Sequence, residues 1–432
     1  MKSVWQENSS IPHFPQLKQD IHTDVLIIGG GIAGILTAYF LHKKGVKYTL
    51  VEKDSICSKT TANTSAKITF QHGLVYSKIL KSYGIETAQK YLSAHKTALE
   101  VYGIICKNID CDFEVKDNYV YSVDKKEKLE NEMFALQKIG YKAQFCENIP
   151  LPKKTVGAVK FSNQAQFNPL KFLGQISKEL NIYENTFVRE MIGNTAVTDY
   201  AKIFAKKVIV ATHFPFINKH GSYFLKLYQN RSYIIVLENA QNVDGMYVDE
   251  NKKGMSFRNY NNLLLLGGGG ERTGKPSGNW QELRHFAKEN YTKSKERFFF
   301  ATQDCISLDS MPYIGQYSKN TPNLYVAGGF NKWGMTGAMV SAMVLSDIIM
   351  NKQNDFADIF NPSRNILKPQ LFVNGIEATK NLLTISEKRC PHLGCALKWN
   401  NAEHSWDCPC HGSRFAKSGT LIDNPANGDL KL

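Results

Sequence analysis

The sequence lacks any apolar run long enough to cross a membrane. A spanning helix needs about 20 mostly apolar residues, whereas the run Leu263–Leu266 is short and polar residues interrupt Ala338–Met350. The N-terminal residues also lack the basic and then apolar pattern of a secretory signal. We therefore expect no transmembrane segment and a cytoplasmic protein.

Arginine-rich arms, internal repeats and low-complexity segments are also missing. The net charge of +14 comes mostly from lysines interleaved with acids, as in Lys125–Glu130. This pattern is typical of a solvated basic surface, which favours anionic substrates or an acidic electron-transfer partner. We expect no nucleic-acid ligand, and an oxidase acting on modified tRNA is the alternative that the charge leaves open.

The cysteines are unevenly distributed. Of the nine, Cys57, Cys106, Cys111, Cys146 and Cys305 are scattered, whereas the other four fall between Cys390 and Cys410. A crowded set in a cytosolic chain indicates metal or redox chemistry. At 432 residues with 43% apolar composition, the chain has room for two or three domains.

The stretch Asp24–Asp54 carries the pattern of a dinucleotide-binding unit. A short β-branched strand precedes Gly29-Gly30-Gly31-Ile32-Ala33-Gly34, which fits G-x-G-x-x-G, and an apolar helix and a second strand ending at Glu52 follow. The first glycine permits a tight turn, Gly31 lets the backbone approach a pyrophosphate, and Gly34 lets helix and strand pack closely. Glu52 is placed to accept hydrogen bonds from a ribose diol.

The rest of the chain predicts further elements around this unit. Residues 1–23 read as a loosely ordered lead, Phe113–Val123 as a hairpin turning at Asp117-Asn118, and Asn168-Pro169 as a capped helix start. Val208–Thr212 is a second buried strand, and residues 323–350 repeat the strand–glycine–helix pattern. Pro362 and Pro369 bracket a linker.

The clustered cysteines belong to two similar loops. These are Cys390-Pro391-His392-Leu393-Gly394-Cys395 and Cys408-Pro409-Cys410-His411-Gly412-Ser413. Zinc binding is one interpretation, but the loops resemble those of the Rieske family, in which two His replace two Cys on one iron. The resemblance implies that Cys390 and Cys408 hold one iron, that His392 and His411 hold the other, and that Cys395 and Cys410 form a disulfide.

The chain as a whole resembles the D-amino-acid oxidase (DadA-like) superfamily, in particular its bacterial branch with a C-terminal Rieske domain. The resemblance implies an α/β fold, with a Rossmann-like FAD-binding domain, an inserted α+β substrate lobe and a small, shortened all-β Rieske domain. We expect the oxidoreductase part in residues 1–364 and the Rieske domain in 365–432. The FAD-binding parts would be about 20–75, 165–220 and 305–352, and the substrate lobe about 76–164 and 221–304.

The same resemblance implies the contacts of the FAD. The expected cofactor-binding residues are Gly29, Gly31, Ala33, Gly34, Glu52, Lys53, Thr60, Thr61, Ala66, Lys67, Val188, Ala211, Thr212, Gly329, Phe330, Trp333, Gly334, Met335 and Thr336. The candidate catalytic or substrate-contacting residues are Lys67, His72, Arg258, Arg272 and Trp333. A surface role is the alternative for Lys67, and an ordinary salt bridge the alternative for either arginine. Cys305 is either an inert buried thiol or a covalent flavin tether.

Two departures from the Rieske pattern carry expectations of their own. Only twenty residues separate Pro369 from Cys390, fewer than the supporting strands usually take, so we expect the cluster to lean on the flavin domain or to be exposed. Phe415 stands where high-potential members have a tyrosine that donates to a cysteine sulfur, and Ser413 remains as a donor. We therefore expect a potential below the upper part of the Rieske range.

The function that this combination implies is oxidation of a C–N bond. The substrate would be a small amine or amino acid, FAD would take the hydride, and electrons would pass to the Rieske 2Fe–2S centre and then to an external acceptor, such as an acidic redox protein or a quinone. Two alternatives stay open: an oxidase that uses oxygen directly and keeps the cluster as a structural element, and a redox sensor or electron-transfer protein with little turnover.

Overall fold

The computed structural model describes residues 2–7 and 9–431. Its α-helices are α1 Ile32–Lys43, α2 Tyr76–Cys106, α3 Lys126–Lys138, α4 Pro169–Ile176, α5 Tyr223–Lys226, α6 Asn279–Asn290, α7 Gly334–Ile349 and α8 Pro369–Leu383. None of the helices in these residues combines the length and the apolar character needed to span a bilayer.

The strands form three sheets. In chain order they are β1 Ile21–Ile28, β2 Tyr48–Val51, β3 Lys67–Ile68, β4 Glu114–Ser122, β5 Gln144–Cys146, β6 Gly157–Gln166, β7 Ile182–Tyr183, β8 Val188–Ile192, β9 Thr195–Thr198, β10 Lys202–Val210, β11 Leu227–Glu238, β12 Met246–Asp249, β13 Ser256–Tyr260, β14 Leu263–Arg272, β15 Lys295–Ser307, β16 Tyr313–Gln316, β17 Leu324–Gly328, β18 Lys398–Asn400, β19 Ser405–Asp407, β20 Arg414–Ala416 and β21 Leu421–Asp423.

The first sheet is the Rossmann-like one. Its order is β16-β17-β10-β1-β2-β7, and β1 pairs in parallel with both β2 and β10, so that Ile27 lies opposite Leu50 and Ile209. Residues 25–28 of β1, 208–210 of β10 and all of β2 are buried, as expected where helices cover a parallel sheet; α1 and α7 pack against each other. The carboxyl ends of the parallel strands therefore meet at one edge, where open α/β sheets bind their ligands.

The second sheet builds the lobe beside that edge. Its order is β15-β11-β14-β13-β12-β4-β6-β3, mostly antiparallel. The predicted hairpin at residues 113–123 is wrong, because this stretch is one strand, β4, paired with β6. Asp117 and Asn118 do not turn the chain because their side chains have distant partners. Asp117 accepts the N–H of Asn163, and Asn118 donates to Gln71.

Of two further predictions about single segments, one is confirmed and the other is wrong. The start of α4 is confirmed: the Asn168 side chain accepts from the N–H groups of Leu170 and Lys171, as an N-cap does. The expectation of a loosely ordered lead is wrong, because Trp5 is fully buried and its indole donates to Thr64 O at 2.7 Å. Val4 and Leu17 are buried as well, so apolar side chains along the segment anchor it to the core.

The third sheet is the small antiparallel β18-β19-β20-β21, the all-β part of the C-terminal region. The stretch between Pro369 and Cys390, which looked too short for supporting strands, is occupied by helix α8. Its Asn381 carbonyl accepts the N–H of Ala396 in the first cysteine loop at 2.9 Å. A helix thus supplies the support that strands were expected to give.

Candidate functional site

A cavity opens at the edge of the first sheet where β1, β2 and β10 end and α1 and α7 begin. Most of the residues predicted to contact FAD line it: Gly29, Gly31, Ala33, Glu52, Lys53, Thr60, Thr61, Val188, Ala211, Thr212, Phe330, Gly334 and Met335. Two stretches more than 270 residues apart, around Gly29 and around Gly334, thus share one cavity. This is the extended two-ended cradle that the predicted dinucleotide requires.

The glycine turn at the start of α1 has the geometry that the motif predicts. Gly29 has φ +113°, and a Cβ there would lie 2.5 Å from the carbonyl oxygen of Ala211. A Cβ on Gly34 would lie 1.9 Å from the carbonyl oxygen of Gly29. Only glycine is compatible with either position, and the turn brings the N-terminus of α1 to the cavity, where its N–H groups favour phosphate.

Glu52 lies at the end of β2 in the cavity wall. Its carboxylate accepts the N–H of Gly30 at 2.7 Å and that of Asp54 at 3.0 Å. Burial raises the pKa of Glu52, and the two N–H donors oppose that rise. The side chain is therefore held rigidly beside the glycine turn, where a ribose diol would meet it.

The remaining predicted cofactor residues lie outside the cavity lining. They are Gly34, Ala66, Lys67, Gly329, Trp333 and Thr336. Lys67 is buried with Nζ 3.4 Å from the carbonyl oxygen of Tyr247, and burial lowers its pKa to about 7. Its role toward FAD stays a prediction.

His72 is buried among aromatic and polar side chains and is not one of the residues that line the cavity. Its ring stacks on Trp333 with centroids 5.1 Å apart, Nδ1 lies 2.7 Å from the Tyr91 hydroxyl, and Nε2 lies 3.0 Å from the Thr336 hydroxyl. Burial lowers its pKa to about 3, so the ring is neutral at physiological pH. This placement positions Trp333 and the start of α7.

The two candidate arginines are not among the residues that line the cavity. Arg258 is buried, and its Nη1 donates to the carbonyl oxygens of Ser65 and Ala66, whereas its Nε and Nη2 are buried without a hydrogen-bond partner among the described residues. Arg272 donates to the carbonyl oxygens of Pro409 and Cys410 in the second cysteine loop, at 2.8 and 2.9 Å. Arg272 thus joins the two domains, and a role of either arginine toward the substrate stays a prediction.

Sequence reasoning missed several polar residues of the cavity wall. These are His213, Gln229, Gln303, Asp304 and Lys332. The signal was present in the sequence, since Gln303 and Asp304 lie in β15 between the apolar run of residues 298–301 and Cys305-Ile306. Their convergence was not visible, because they come from β11, β15 and two loops far apart in the chain.

The two cysteine loops bring together the donors that a Rieske centre needs. The Cys390 and Cys408 sulfurs are close enough to hydrogen-bond each other, and the Nδ1 atoms of His392 and His411 lie 3.3 Å apart. Nε2 of His392 lies 2.9 Å from Oδ1 of Asn218, a flavin-domain residue. Such an outer partner fixes the ring and leaves Nδ1 free for metal. The residues therefore fit a two-Cys, two-His cluster.

Cys395 and Cys410 form a disulfide between the two loops. The sulfurs of Cys395, Cys408 and Cys410 lie within 4.8 Å of one another, a spacing that free thiolates could use to bind zinc. Because two of the three are bonded to each other, they are not available as thiolate ligands. The disulfide thus favours the Rieske interpretation over zinc.

The C-terminal domain leans on the flavin domain at the cavity itself. Nε2 of Gln229 donates to His411 O at 2.9 Å, and Nε2 of Gln303 donates to Gly412 O at 2.8 Å. Residues 421–424, 426 and 427 complete the cavity wall. The expectation that the cluster loops lean on the flavin domain is confirmed.

A buried network of ion pairs stabilises the contact between the C-terminal domain and the flavin domain. Glu403 pairs with Arg231 of the flavin domain and with Arg414 of its own domain. Burial alone would raise the pKa of Glu403, but the two guanidiniums lower it overall. A carboxyl with a lowered folded-state pKa stabilises the fold above its unfolded pKa of about 4.3, and that contribution is lost as pH falls through the folded value.

We expect Glu403→Gln to lower the free energy of unfolding at pH 7 by about 3 kcal/mol, because it leaves the buried guanidinium of Arg231 without its charged partner. Arg414, by contrast, keeps Asp407 and Asp423. The loss should shrink as pH falls below the unfolded pKa of about 4.3, because the unfolded wild-type chain then takes up a proton that the folded protein does not yet bind. Urea unfolding at pH 7 and pH 3.5 measures both.

Glu296→Gln, which removes a partly exposed pair with Arg284, is the control and should cost less than about 1 kcal/mol. Equal losses in the two variants would contradict the role of the network.

Hydrogen-bond donors to the cysteine sulfurs influence the reduction potential of the cluster. The Ser413 hydroxyl is within hydrogen-bonding distance of the Cys390 sulfur, and the fully buried Phe415 offers no hydroxyl. With fewer donors to sulfur, the reduced state is less stabilised. We expect a redox titration to give a midpoint in the lower or middle part of the range of roughly −150 to +300 mV, and a value near its top would contradict this.

Two family models match the chain. The model described as FAD dependent oxidoreductase matches residues 24–348, and the model described as Rieske [2Fe-2S] domain matches residues 363–432. A protein of Bacillus subtilis (strain 168), YhfW, named for a Rieske 2Fe-2S iron-sulfur centre, is 32% identical, with 100% of this chain and 97% of the relative covered.

Solved structures share the fold of the larger part. Glycine oxidase from Geobacillus kaustophilus superposes with a TM-score of 0.68 at 18% identity, over 80% of this chain and 99% of that one. L-proline dehydrogenase from P. horikoshii has a TM-score of 0.68 at 16% identity, over 81% and 98%. At such identities the likeness concerns the fold alone.

Proposed function

The chain belongs to the FAD-dependent oxidoreductase family and carries a Rieske domain, and on this premise we propose that it oxidises a C–N bond of a small amine or amino acid and relays the electrons through its 2Fe–2S centre to an external acceptor. The substrate carbon would lose a hydride and its nitrogen a proton, giving an imine that water hydrolyses. FAD supplies a two-electron acceptor and the cluster a one-electron acceptor.

The observation that carries the relay is the shared wall between the two sites. Gln229 and Gln303 line the cavity, and each also donates to the backbone of the second cluster loop. The two side chains are bonded to each other as well, with Nε2 of Gln303 2.8 Å from Oε1 of Gln229. A single layer of side chains therefore separates the cavity from the loop of His411.

The amino-acid assignment is supported by a charged pair in the cavity wall. Lys332 follows Phe330 at the end of β17, and Asp304 lies close enough to it for each charge to act on the other. Lys332 would attract the carboxylate of an amino acid and Asp304 its ammonium. The names of the two superposed enzymes, a glycine oxidase and a proline dehydrogenase, agree with such a zwitterion.

Anaerobic titration with a panel of amines, amino acids and imino acids tests the substrate class. Each amino acid is compared with the amine that lacks its carboxylate. We expect flavin bleaching by at least one amino acid or imino acid, at a concentration at least about tenfold lower than by the matched amine, because an ion pair of ~1.4 kcal/mol would be lost. If no member of the panel bleaches the flavin, the redox-sensor alternative is favoured and the enzymatic proposal fails.

A further inference from the structure

Helix α8 exposes its apolar side chains and buries its polar ones. Phe372, Ile376 and Leu383 are 66%, 68% and 77% exposed, whereas Asn374 and Asn381 are 4% exposed. A surface helix ordinarily has the opposite polarity. The apolar residues recur at intervals of four and seven, so they share one face of the helix.

The buried polar face of α8 is fully used by the fold. Asn374 accepts from Arg272 at 2.9 Å and donates to Leu225 O at 3.2 Å, and the Asn381 side chain donates to Glu377 O at 2.7 Å. The two bonds of Asn374, to Arg272 and Leu225, fix which side of the helix faces the protein, whereas the Asn381 bond lies within the helix. The apolar side is therefore held outward by the fold and is not a frayed or unfinished core.

The exposed apolar surface continues onto the first cluster loop. We call it the α8 patch, and its residues are Leu367, Phe372, Val373, Ile376, Leu382, Leu383, Ile385 and Leu393. More than half of the exposed large apolar side chains of the described residues fall in this patch. Leu393, between His392 and Gly394, is 40% exposed, so the patch reaches the loop that carries a predicted cluster ligand. An apolar surface of this kind usually marks an interaction site.

The charges around the patch are mainly basic. Lys368, Lys380, Lys388 and Arg389 lie within or next to the patch along the chain, against the acids Glu377 and Glu387. The Arg389 guanidinium also donates to the carbonyl oxygens of Leu382, Thr384 and Gly394. Glu377 is already paired with Lys275. An apolar helix face rimmed by Lys and Arg is the pattern of helices that lie in a membrane interface, where the cations meet anionic headgroups.

We propose that the α8 patch seats this protein on the surface of an anionic lipid bilayer. The apolar side chains enter the boundary between headgroups and acyl chains, and the basic rim binds the headgroups. This is a peripheral contact, in keeping with the absence of a spanning helix among the described residues. A second copy of the chain fits less well, because a symmetric pairing would bring two like-charged rims together. The contact would hold the first cluster loop against the membrane.

Vesicle binding of the unreacted holoprotein tests the proposal without relying on any substrate or turnover. Sedimentation is measured with vesicles of phosphatidylcholine alone and of phosphatidylcholine with phosphatidylglycerol. We expect binding to the anionic vesicles that weakens with salt, and much weaker binding to the neutral ones. No binding to anionic vesicles at low salt would overturn the proposal, as would equal binding to both compositions.

Two variants and one control locate the contact. The triple variant Phe372→Ser, Ile376→Ser, Leu383→Ser should lower vesicle partitioning at least about tenfold, with its flavin and cluster absorbance unchanged. Ile385→Asp, at a side chain that is 98% exposed and thus not needed for folding, should lower it in the same direction. The control triple Ile104→Ser, Phe134→Ser, Ile192→Ser removes equally exposed apolar residues elsewhere and should bind like wild type. An equal loss of vesicle binding in the control would refute the proposed membrane contact. A wild-type dimer that the patch variants dissociate would refute it as well.

Discussion

Gly34→Ala protein is expected to purify almost without FAD, whereas Gly103→Ala protein keeps a full complement. The added Cβ at Gly34 would stand 1.9 Å from the carbonyl oxygen of Gly29. Neither the backbone at Gly34 nor that at Gly29 can move aside without disrupting the tight turn. Overpacking costs typically 1–3 kcal/mol, and a backbone clash this close lies at or above that upper value, so FAD affinity should fall at least about 100-fold.

Gly103 makes the comparison a matched one. It also lies within a helix, α2, and a Cβ there would meet no atom within 4 Å. Its replacement by alanine should leave FAD binding unchanged and stabilise the helix slightly. The flavin-to-protein absorbance ratio after desalting measures both variants. Normal FAD content in Gly34→Ala would mean that the glycine turn does not hold the cofactor.

Cys408→Ser should abolish the cluster and leave the flavin in place. Cys408 is fully buried beside Cys390, and a serine oxygen is a poor substitute for a thiolate on iron. The visible absorption of the cluster and the electron paramagnetic resonance signal of its reduced form should both disappear. The control, Cys146→Ser, replaces a half-buried free thiol on β5 at the rim of the second sheet and should keep both signals.

The outcome for Cys408→Ser also separates Rieske from zinc. A zinc site would give no paramagnetic signal in the wild-type protein, so no signal could be lost. Retention of the full signal in Cys408→Ser would show that this cysteine is not a ligand. Metal analysis of both proteins, for iron and for zinc, accompanies the spectra.

What the sequence could predict was local. The turn at Gly29 and the cap at Asn168 depend on residues within a few positions of each other, so their residue types alone indicate the geometry. The cysteine loops are similarly compact, and the Cys395–Cys410 bond joins residues only 15 positions apart. The resemblance to a known family then supplied the pairing of these elements with FAD and a cluster.

What the sequence could not predict was convergence over long distances. Gln229 and Gln303 are 74 positions apart, and both reach a loop more than 100 positions further on. Arg272 has the right chemistry to clamp a carboxylate, but its donors are taken by carbonyl oxygens of the other domain. Helix α8 was not predicted from the sequence, and only the fold decides that its apolar face is the outer one.

The relay between the two sites is tested most directly by rapid anaerobic mixing of the holoprotein with a substrate that bleaches its flavin. Flavin absorbance and the paramagnetic signal of the reduced cluster are followed in the same samples, with Cys408→Ser as the reference that lacks the second signal. The shared wall of Gln229 and Gln303 predicts that the cluster becomes reduced as the flavin is bleached, without any added mediator. A flavin that bleaches fully while the cluster stays oxidised would contradict the relay and leave an oxidase with a structural cluster.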